Sequence, residues 1–259
     1  MRVATWNVNG LRARQDFLLR WLAERRPDVV ALQELKLEDG RFPSAELEAV
    51  GYRALCHGQK SWNGVAILSR EPAEPLQVGL PGQEALGARL LAARVGGVHA
   101  VSVYVPNGKS VGHEDFPRKL AWLECLASWL EEHRGEPLVV GGDFNVCPTG
   151  LDSWDEERLH GRIFHTDEER ARFARLLELG LVDLFRAQHP SLRAFSWWDY
   201  RAGAFHRGHG LRIDFLLASE PMAKRLRAAE IDRDWRKKQD GLTPSDHAPV
   251  WADLEPAAG

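Results

Sequence analysis

Carboxylate and amide side chains occur in pairs at the ends of short apolar runs. Asp143 and Asn145 are two residues apart after one such run, and Asn7 and Asn9 repeat this spacing near the N-terminus. Side chains two positions apart on an extended chain point to the same face, so the members of each pair can act together. A carboxylate beside an amide can align and deprotonate a water molecule that attacks phosphorus. The alternative for each pair alone is an ordinary turn, because Asp and Asn are favoured there.

Glu34 follows a largely apolar run, residues 28–33, at a point where a predicted strand leaves the core. A right-handed crossover between the first two strands would bring Glu34 to the same rim of a sheet as Asn7. A lone glutamate in this position is commonly a solvated loop residue. It also suits a magnesium ion, because Mg²⁺ prefers hard oxygen donors and needs only one or two carboxylates. We therefore consider Glu34 a candidate ligand for Mg²⁺, with Mn²⁺ as an alternative ion.

Asp214 lies within the apolar segment 213–217. A carboxylate in such a strand is costly unless it is paired or hydrogen-bonded, and the imidazole of His247 is its natural partner. A carboxylate behind an imidazole orients the ring and favours its charged form, which can then face a phosphate oxygen. The alternative is a structural histidine at the start of a strand, but the buried acid favours the functional interpretation.

The composition is that of an ordinary soluble globular protein. Of the 259 residues, 44% are hydrophobic and 27% are charged, with a formal net charge of −3, and the apolar stretches are too short to cross a bilayer. Three cysteines without CxxC spacing argue against a disulfide framework or a zinc knuckle, and no secretory leader is evident, so we expect a cytoplasmic protein without a membrane partner. Basic residues cluster at 201–212 and 233–238, and such a patch can bind nucleic acid despite the negative net charge.

Hydrophobic periodicity predicts alternating strands and helices in the first half of the chain and mainly strands after it. The predicted strands cover residues 3–6, 28–33, 52–56, 64–69, 89–95, 98–105, 137–141, 195–200, 211–218 and 249–254. The predicted helices cover residues 11–26, 116–133, 167–179 and a short stretch near 221–229, with a long loop at 149–163. This pattern fits an α/β fold, a four-layer sandwich of two packed mixed β-sheets flanked by helices, formed by one domain over residues 1–259.

Several motifs together resemble one nuclease family. In chain order they are WNVNGLRAR, LQELK, GVAILS, YVPNG, GDFNVCPT, FSWWDYR, GLRIDFLLAS and SDHAPVWA, within residues 3–254. In order and spacing they are similar to the exonuclease III family of abasic-site endonucleases, within the endonuclease/exonuclease/phosphatase superfamily. The resemblance implies a DNase I-like fold and Mg²⁺-dependent cleavage of the phosphodiester 5′ to an abasic site in double-stranded DNA. It also implies 3′→5′ exonuclease and 3′-phosphatase activities on 3′ ends, and we expect a monomer.

The resemblance also implies roles for individual residues. The metal ligands would be Glu34, Asn9 and Asp246. The groups that hold the target phosphate would be Asn7, Tyr104, Asn145 and His247. Asp143 would orient or deprotonate the water, and Asp214 would pair with His247. Lys36 and Asn107 would make further contacts with the substrate. A pocket for the flipped-out abasic sugar would be formed by Trp197, Leu211 and Ile213. Arg201 would fill the gap that the sugar leaves in the DNA.

Two positions depart from the family pattern. Leu35 replaces the threonine that usually follows the metal-binding glutamate, which removes a hydroxyl beside the ligand. Position 9 is Asn where some members have Asp, and a neutral ligand weakens the metal site. Both departures leave the number of bound metal ions open.

Two other functions compete with DNA repair. One is another phosphodiesterase branch of the superfamily, such as an inositol-phosphate or sphingomyelin phosphodiesterase, but the basic and aromatic residues at 197–212 argue against it. The other is a damaged-DNA binding module with weak or lost catalysis, which the complete set of acid and amide residues disfavours. The sequence leaves open the balance between endonuclease and exonuclease activity.

Overall fold

The chain begins with a strand–helix–strand unit that brings two site residues to one edge. In the computed structural model, which describes residues 1–256, this unit comprises β1 (Arg2–Asn7), α1 (Leu11–Arg25) and β2 (Val29–Gln33). The two strands pair in parallel, so their carboxyl ends lie side by side. Asn7 is the last residue of β1, and Glu34 follows β2 directly.

The remaining described residues add the other strands and helices. The strands are β3 (Arg53–His57), β4 (Val65–Ser69), β5 (Ala73–Val78), β6 (Leu90–Val95), β7 (Val98–Tyr104), β8 (Leu138–Asp143), β9 (Leu181–Asp183), β10 (Asp214–Ser219), β11 (Leu226–Ile231) and β12 (Val250–Leu254). The helices are α2 (Ser44–Ala49), α3 (Asp115–Glu132), α4 (Glu156–Leu159), α5 (Asp167–Glu178), α6 (Leu184–Gln188), α7 (Ala204–Arg207) and α8 (Glu220–Ala223).

The strands form two six-stranded sheets. The first sheet has the order β11-β12-β1-β2-β4-β3, and the second has the order β5-β6-β7-β8-β10-β9. The pairs β1–β2 and β7–β8 are parallel, and the other neighbouring pairs are antiparallel. Each sheet is therefore mixed, and each has its parallel pair at its centre.

Apolar cores separate four layers. Between the sheets, Val29 and Ile67 of the first sheet and Val139 and Leu216 of the second belong to one cluster of buried residues. Helix α1 covers the outer face of the first sheet with side chains such as Trp21, and α3 and α5 cover the outer face of the second. The predicted four-layer sandwich is confirmed. Among residues 1–256, every helix is too short or too polar to span a bilayer.

Two glycines near the end of β8 allow this strand to lie tightly between its neighbours. A Cβ on Gly142 would come 2.1 Å from the backbone oxygen of Val103 on β7, far inside any normal contact. A Cβ on Gly141 would lie 3.1 Å from side-chain atoms of β1, β2 and β10. The two sheets therefore approach each other closely just before Asp143, which ends the strand.

Two predicted elements are wrong. The predicted strand at 195–200 joins neither sheet, because Trp197 makes only isolated bridges, to Leu211 and to His247. The predicted helix near 221–229 is instead the short α8 followed by β11, which begins at Leu226. Apolar spacing over so few residues does not distinguish a helix from a strand.

Other short elements have no clear signal in the sequence. Strand β5 lies at the edge of the second sheet and most of its residues are exposed, so it lacks the apolar alternation of a half-buried strand. The predicted loop at 149–163 contains a 3₁₀ turn, Gly150–Asp152, and the single-turn helix α4. Strand β5 depends on its pairing with β6, whereas the side chains of Thr149 and Asp155 cap the two turns within 149–163 locally.

We expect Gly142→Ala to destabilise the fold more than Gly141→Ala. The new methyl group at position 142 meets backbone that cannot move aside, so the free energy of unfolding should fall by about 1–3 kcal/mol, the usual cost of overpacking. The contacts at position 141 are 3.1 Å, so a shift of a few tenths of an ångström relieves them, and reduced entropy of the unfolded chain offsets part of the cost. Urea unfolding followed by tryptophan fluorescence measures both losses. Equal losses, or the reverse order, would contradict the packing described for β8.

Candidate active site

Neighbouring strands of the second sheet bring three polar side chains into one row. Tyr104 of β7 pairs with Asp143 of β8, and Asp143 pairs with Asp214 of β10. Asn7 and Glu34 approach the same row from the first sheet. A shift of one residue in this register would turn each side chain to the opposite face of its sheet, so the strand pairing itself assembles the site.

The amide of Asn7 joins the two sheets through hydrogen bonds. Its Nδ2 donates to Glu34 Oε1 and to Asp143 Oδ2, both at 2.9 Å. The hydroxyl of Tyr104 also donates to Glu34 Oε1, at 2.8 Å. Asn7 and Asp143 are buried and Glu34 is half-buried, so two carboxylates lie close together with little water to screen them. Such a pair favours nearby positive charge.

A buried acid–imidazole pair lies beside Asp143. His247 Nδ1 lies 2.9 Å from Asp214 Oδ2 and 3.1 Å from Oδ1, and Ser196 Oγ donates to Asp214 Oδ2 at 2.6 Å. On the other side of the ring, His247 Nε2 lies 3.9 Å from Asp143 Oδ2. Asp214 thus orients the imidazole through one nitrogen and leaves the other directed towards the acids of the site.

Burial and neighbouring charges shift the protonation of these groups. Burial raises the pKa of Asp143 to about 7; His247 opposes this rise, and the carboxylates of Asp214 and Glu34 add to it. For His247, burial lowers the pKa, but the charge and hydrogen bond of Asp214 more than offset it, and the pKa rises to about 10. Burial, with the Glu34 charge, raises the pKa of the Tyr104 hydroxyl well above its usual range. At neutral pH the site therefore contains a titrating carboxyl group, an imidazolium and a neutral phenol.

Two further amides lie next to Asp143. The backbone N–H of Asn145 donates to Asp143 Oδ1 at 3.0 Å, and its side-chain Nδ2 donates to the carbonyl oxygen of Val105 at 3.0 Å. The exposed Asn107 approaches Asn145 Oδ1 through its Nδ2, at 3.4 Å. Asn145 therefore fixes the orientation of the Asp143 carboxylate, and Asn107 lies at the rim of the site.

The outer part of the site gathers oxygen atoms around a positive charge. The ammonium of Lys36 lies 2.9 Å from Glu34 Oε2 and 2.5 Å from Asn9 Oδ1. Asn9 in turn donates through Nδ2 to Asp246 Oδ1 at 2.8 Å. A carboxylate and an amide oxygen are hard donors of the kind that Mg²⁺ and Mn²⁺ accept. This set of residues fits a divalent cation at the Glu34 carboxylate.

A second group of ligand atoms lies deeper in the site. Atoms of Glu34, Asp143 and His247 lie within 4.8 Å of one another. A pKa of about 10 keeps His247 protonated at neutral pH, and an imidazolium does not coordinate a metal ion. His247 is therefore better suited to an anion such as a phosphate, and Glu34 is the acid shared by both groups.

Several site residues have left-handed backbone conformations. The φ angles are 45° for Asn9, 52° for Glu34, 56° for Lys36 and 50° for Asn145. Such angles are uncommon outside glycine and persist where the surrounding structure holds them. The turns after β1, β2 and β8 are thus shaped by the contacts of the site more than by local preference.

The predicted sugar pocket is filled by its own side chains. Leu211 and Ile213 are 5% and 2% exposed and pack in one apolar cluster with Trp154 and Trp197. Trp197 also donates through Nε1 to Asp246 Oδ2 at 3.0 Å, which links this cluster to the candidate metal ligands. A bound sugar would require some of these side chains to move.

Arg201 lies apart from the buried groups. Its side chain is 87% exposed and pairs with Asp199, with 2.7 Å between Nη2 and Oδ2. It occupies a 3₁₀ turn, Arg201–Gly203. Arg201 is one of the residues predicted from the sequence, but it makes no contact with the acid and amide groups described above.

Two buried serines support the site and were not predicted. Ser196 bonds to Asp214, and its Oγ also accepts the backbone N–H of Asp214 at 3.1 Å. Ser245 Oγ donates to the carbonyl oxygen of Asn7 at 2.7 Å and accepts the N–H of His247 at 3.2 Å. Each serine lies in a quoted motif, but a small hydroxyl residue there resembles an ordinary loop residue. Only its hydrogen bond to a residue distant in the chain distinguishes such a serine from an ordinary loop residue.

Similarity to known proteins identifies the family. The model of the Endonuclease/Exonuclease/phosphatase family matches residues 4–247. Exodeoxyribonuclease III from Haemophilus influenzae is 37% identical, over 98% of this chain and 100% of that protein.

Solved structures give the same result. The 3′ phosphatase NExo from Neisseria, bound to a product DNA hairpin, has a TM-score of 0.94 and 39% identity, over 98% of this chain and 99% of that chain. An AP endonuclease from Archaeoglobus fulgidus has a TM-score of 0.94 and 35% identity, with the same coverage of both chains. Since these matches extend over nearly the whole chain and include both sheets that form the site, the chain belongs to the endonuclease/exonuclease/phosphatase family, among the nucleases of the exonuclease III type.

Proposed function

We propose that this protein is a DNA repair nuclease that hydrolyses the phosphodiester 5′ to abasic sites in double-stranded DNA. We assign 3′→5′ exonuclease and 3′-phosphatase activities to the same site, because each requires attack of water on a phosphorus atom. The observation that carries the proposal is the pair of hydrogen bonds from Asn7 to Glu34 and Asp143. They bring a cation ligand and a general base together at one point. The names of the relatives support each of the three activities.

Asp143 is the general base of the proposed reaction. It accepts a proton from a water molecule while the oxygen of that water attacks phosphorus. The bond between phosphorus and the 3′ oxygen breaks, the 3′ oxygen leaves and takes a proton from solvent, and the phosphate stays on the abasic side. Asn145 holds the Asp143 carboxylate in position through its backbone N–H.

His247 stabilises the negative charge of the phosphate. With a pKa of about 10 it is protonated at neutral pH, and its Nε2–H donates to a non-bridging oxygen. Asn7 and Tyr104, which donate to Glu34 in the structure, would donate to the phosphate where a cation holds that carboxylate. A preorganised donor of this kind is worth about 10²–10³ in rate.

We propose Glu34 as the main ligand of a Mg²⁺ ion, with Asn9 and Asp246 near it and Mn²⁺ as a substitute. When bound, such a cation supplies positive charge that offsets the charge on the phosphate and the leaving oxygen. Lys36 lies at the same carboxylate, and we assign it to contact with the DNA backbone.

Selection of abasic sites rests on size in this proposal. When the side chains of Trp197, Leu211 and Ile213 move apart, the apolar pocket between them admits a bare sugar and excludes a base. The missing base also lowers the cost of extrusion from the duplex. Asn107 contacts the DNA at the rim of the site. Arg201, which is exposed, fills the gap in the duplex.

We also propose that residues 1–259 form a single domain and that the protein acts as a monomer in the cytoplasm. One copy of the chain supplies each of the proposed catalytic groups. The three cysteines are free thiols, as is usual in a reducing compartment.

A duplex with one tetrahydrofuran abasic analogue tests the proposed activity. With Mg²⁺ we expect the first cut immediately 5′ to the analogue, with a 3′ hydroxyl on the product that the proposed exonuclease activity then shortens, and no cut with EDTA. The matched undamaged duplex is the control, and gel electrophoresis against markers reads the position. Cleavage of a sphingomyelin or inositol-phosphate headgroup in place of the DNA would support another branch of the superfamily. Binding without cutting would support a damaged-DNA binding module.

Replacement of Asp143 by Asn should remove the base and leave the shape of the site. We expect turnover to fall by about 10²–10⁴-fold, with the affinity for abasic DNA largely unchanged. Single-turnover cleavage and a binding titration measure the two quantities. Glu220→Gln is the control, because Glu220 is exposed and starts α8, beyond the opposite end of β10. Near wild-type cleavage by Asp143→Asn would show that the base is assigned wrongly.

The pKa values predict a bell-shaped dependence of turnover on pH. Asp143 must be ionised, so activity should rise as the pH passes its pKa of about 7. His247 must be protonated, so activity should fall as the pH passes about 10. Asp214→Asn removes the charge that raises the pKa of His247, so the alkaline fall should move towards neutral pH, with a smaller loss of turnover than in Asp143→Asn. An unchanged pH profile in this variant would contradict the pairing of Asp214 with His247.

A further inference from the structure

A charged pair is buried beneath the part of the site that carries Asn107 and Asn145. Lys119 of α3 and Glu169 of α5 form a salt bridge, and both side chains are fully buried. Removing two charges from water costs free energy that an apolar pair of similar volume avoids. A buried ion pair is weak evidence for a stabilising role, and the contacts of this pair indicate another role.

The ammonium of Lys119 reaches the backbone of two loops of the site. Besides the carboxylate of Glu169, it donates to the carbonyl oxygen of Asn145 at 2.6 Å and to that of Asn107 at 3.3 Å. An ammonium group has three donors. Lys119 thus has one hydrogen bond to its partner acid and two to the loops.

Glu169 is itself held in one orientation. Its Oε1 accepts the backbone N–H of Phe164 at 3.1 Å. Its Oε2 accepts the backbone N–H of Thr166 at 3.1 Å and the Thr166 hydroxyl at 2.8 Å. Thr166 also caps the N-terminus of α5. The acid therefore provides a rigid anchor for the lysine.

The chain next to Asn107 is shaped to lie against the lysine. A Cβ on Gly108 would lie 3.0 Å from Lys119 Cδ and 3.1 Å from Ile163 Cδ1, and the φ angle of this glycine is +83°. Asn145 has a left-handed φ of 50°, a conformation that its surroundings must hold. Both loops thus depend on contacts with Lys119.

From these contacts we propose that Lys119 is a positioning residue, which, with Glu169, holds the Asn107 and Asn145 loops in the spacing that orients the phosphate and the attacking water. The proposal rests on the proposed nuclease function. Lys119 is fully buried, so it acts through Asn145, whose backbone N–H bonds to Asp143 at 3.0 Å.

Lys119→Met tests this proposal, because methionine retains an unbranched stem and lacks the charge and its donors. We expect kcat for the tetrahydrofuran duplex to fall about 100-fold, the effect of a displacement near 1 Å in an active site, with little change in KM. In an Asp143→Asn background, Lys119→Met should cause a much smaller further loss, since the carboxylate that the Asn145 backbone N–H orients is already absent. Arg2→Met is the matched control: it breaks a partly buried ion pair with Asp253 at the start of β1, so it should lower stability and leave kcat unchanged.

An unchanged kcat in Lys119→Met, or losses that multiply fully in the Asp143→Asn background, would overturn the proposal. An equal loss of kcat in Arg2→Met would also overturn it, because lower stability would then explain the effect. Should Lys119→Met fail to fold, Lys119→Met/Glu169→Gln leaves no unpaired buried charge and takes its place in the same comparison. Wild-type protein that does not cut the abasic duplex with Mg²⁺ would instead overturn the proposed function.

Discussion

Two carboxylates that share one amide are the constraint on which the site depends. Asn7 donates to both Glu34 and Asp143, and burial raises the pKa of Asp143 to about 7. Negative charge in such a place needs positive charge or hydrogen bonds nearby. The structure provides Lys36 on the outer side and the imidazolium of His247 on the inner side. A metal ion and a phosphate satisfy the same electrostatic requirement, which is why this arrangement suits hydrolysis of a phosphodiester.

The fold meets this constraint by bringing the centres of two mixed sheets together at their strand ends. The register of β7, β8 and β10 aligns Tyr104, Asp143 and Asp214, and the crossover through α1 brings Asn7 and Glu34 to the facing edge. Gly141 within β8 allows the sheets to approach closely. Beneath the site, the Lys119–Glu169 pair and the hydroxyls of the two buried serines hold the connecting turns. Several residues of these turns have left-handed φ angles. The geometry of the site is therefore a property of strand pairing, and the buried polar contacts adjust it.

Much of this arrangement could be predicted from the sequence. The two-sheet sandwich follows from apolar runs of strand length, and the acid within the apolar segment 213–217 indicates that Asp214 needs a partner. The aromatic run at 195–200 is typical of a strand, but Trp197 makes only isolated bridges there and the segment joins no sheet. Ser196 and Lys119 were missed because their roles depend on partners distant in the chain. The closed state of the pocket around Leu211 likewise depends on packing, which spacing along the chain does not encode.

Direct location of a bound cation tests the central claim that Glu34 and its neighbours form a metal site beside Asp143. Crystals of the protein soaked in Mn²⁺ would be measured at a wavelength where manganese scatters anomalously, with a Glu34→Gln crystal treated in the same way. We predict an anomalous peak in contact with the Glu34 carboxylate in the wild-type crystal and its loss in the variant. A peak away from Glu34, or one that persists at the same place in Glu34→Gln, would contradict the account.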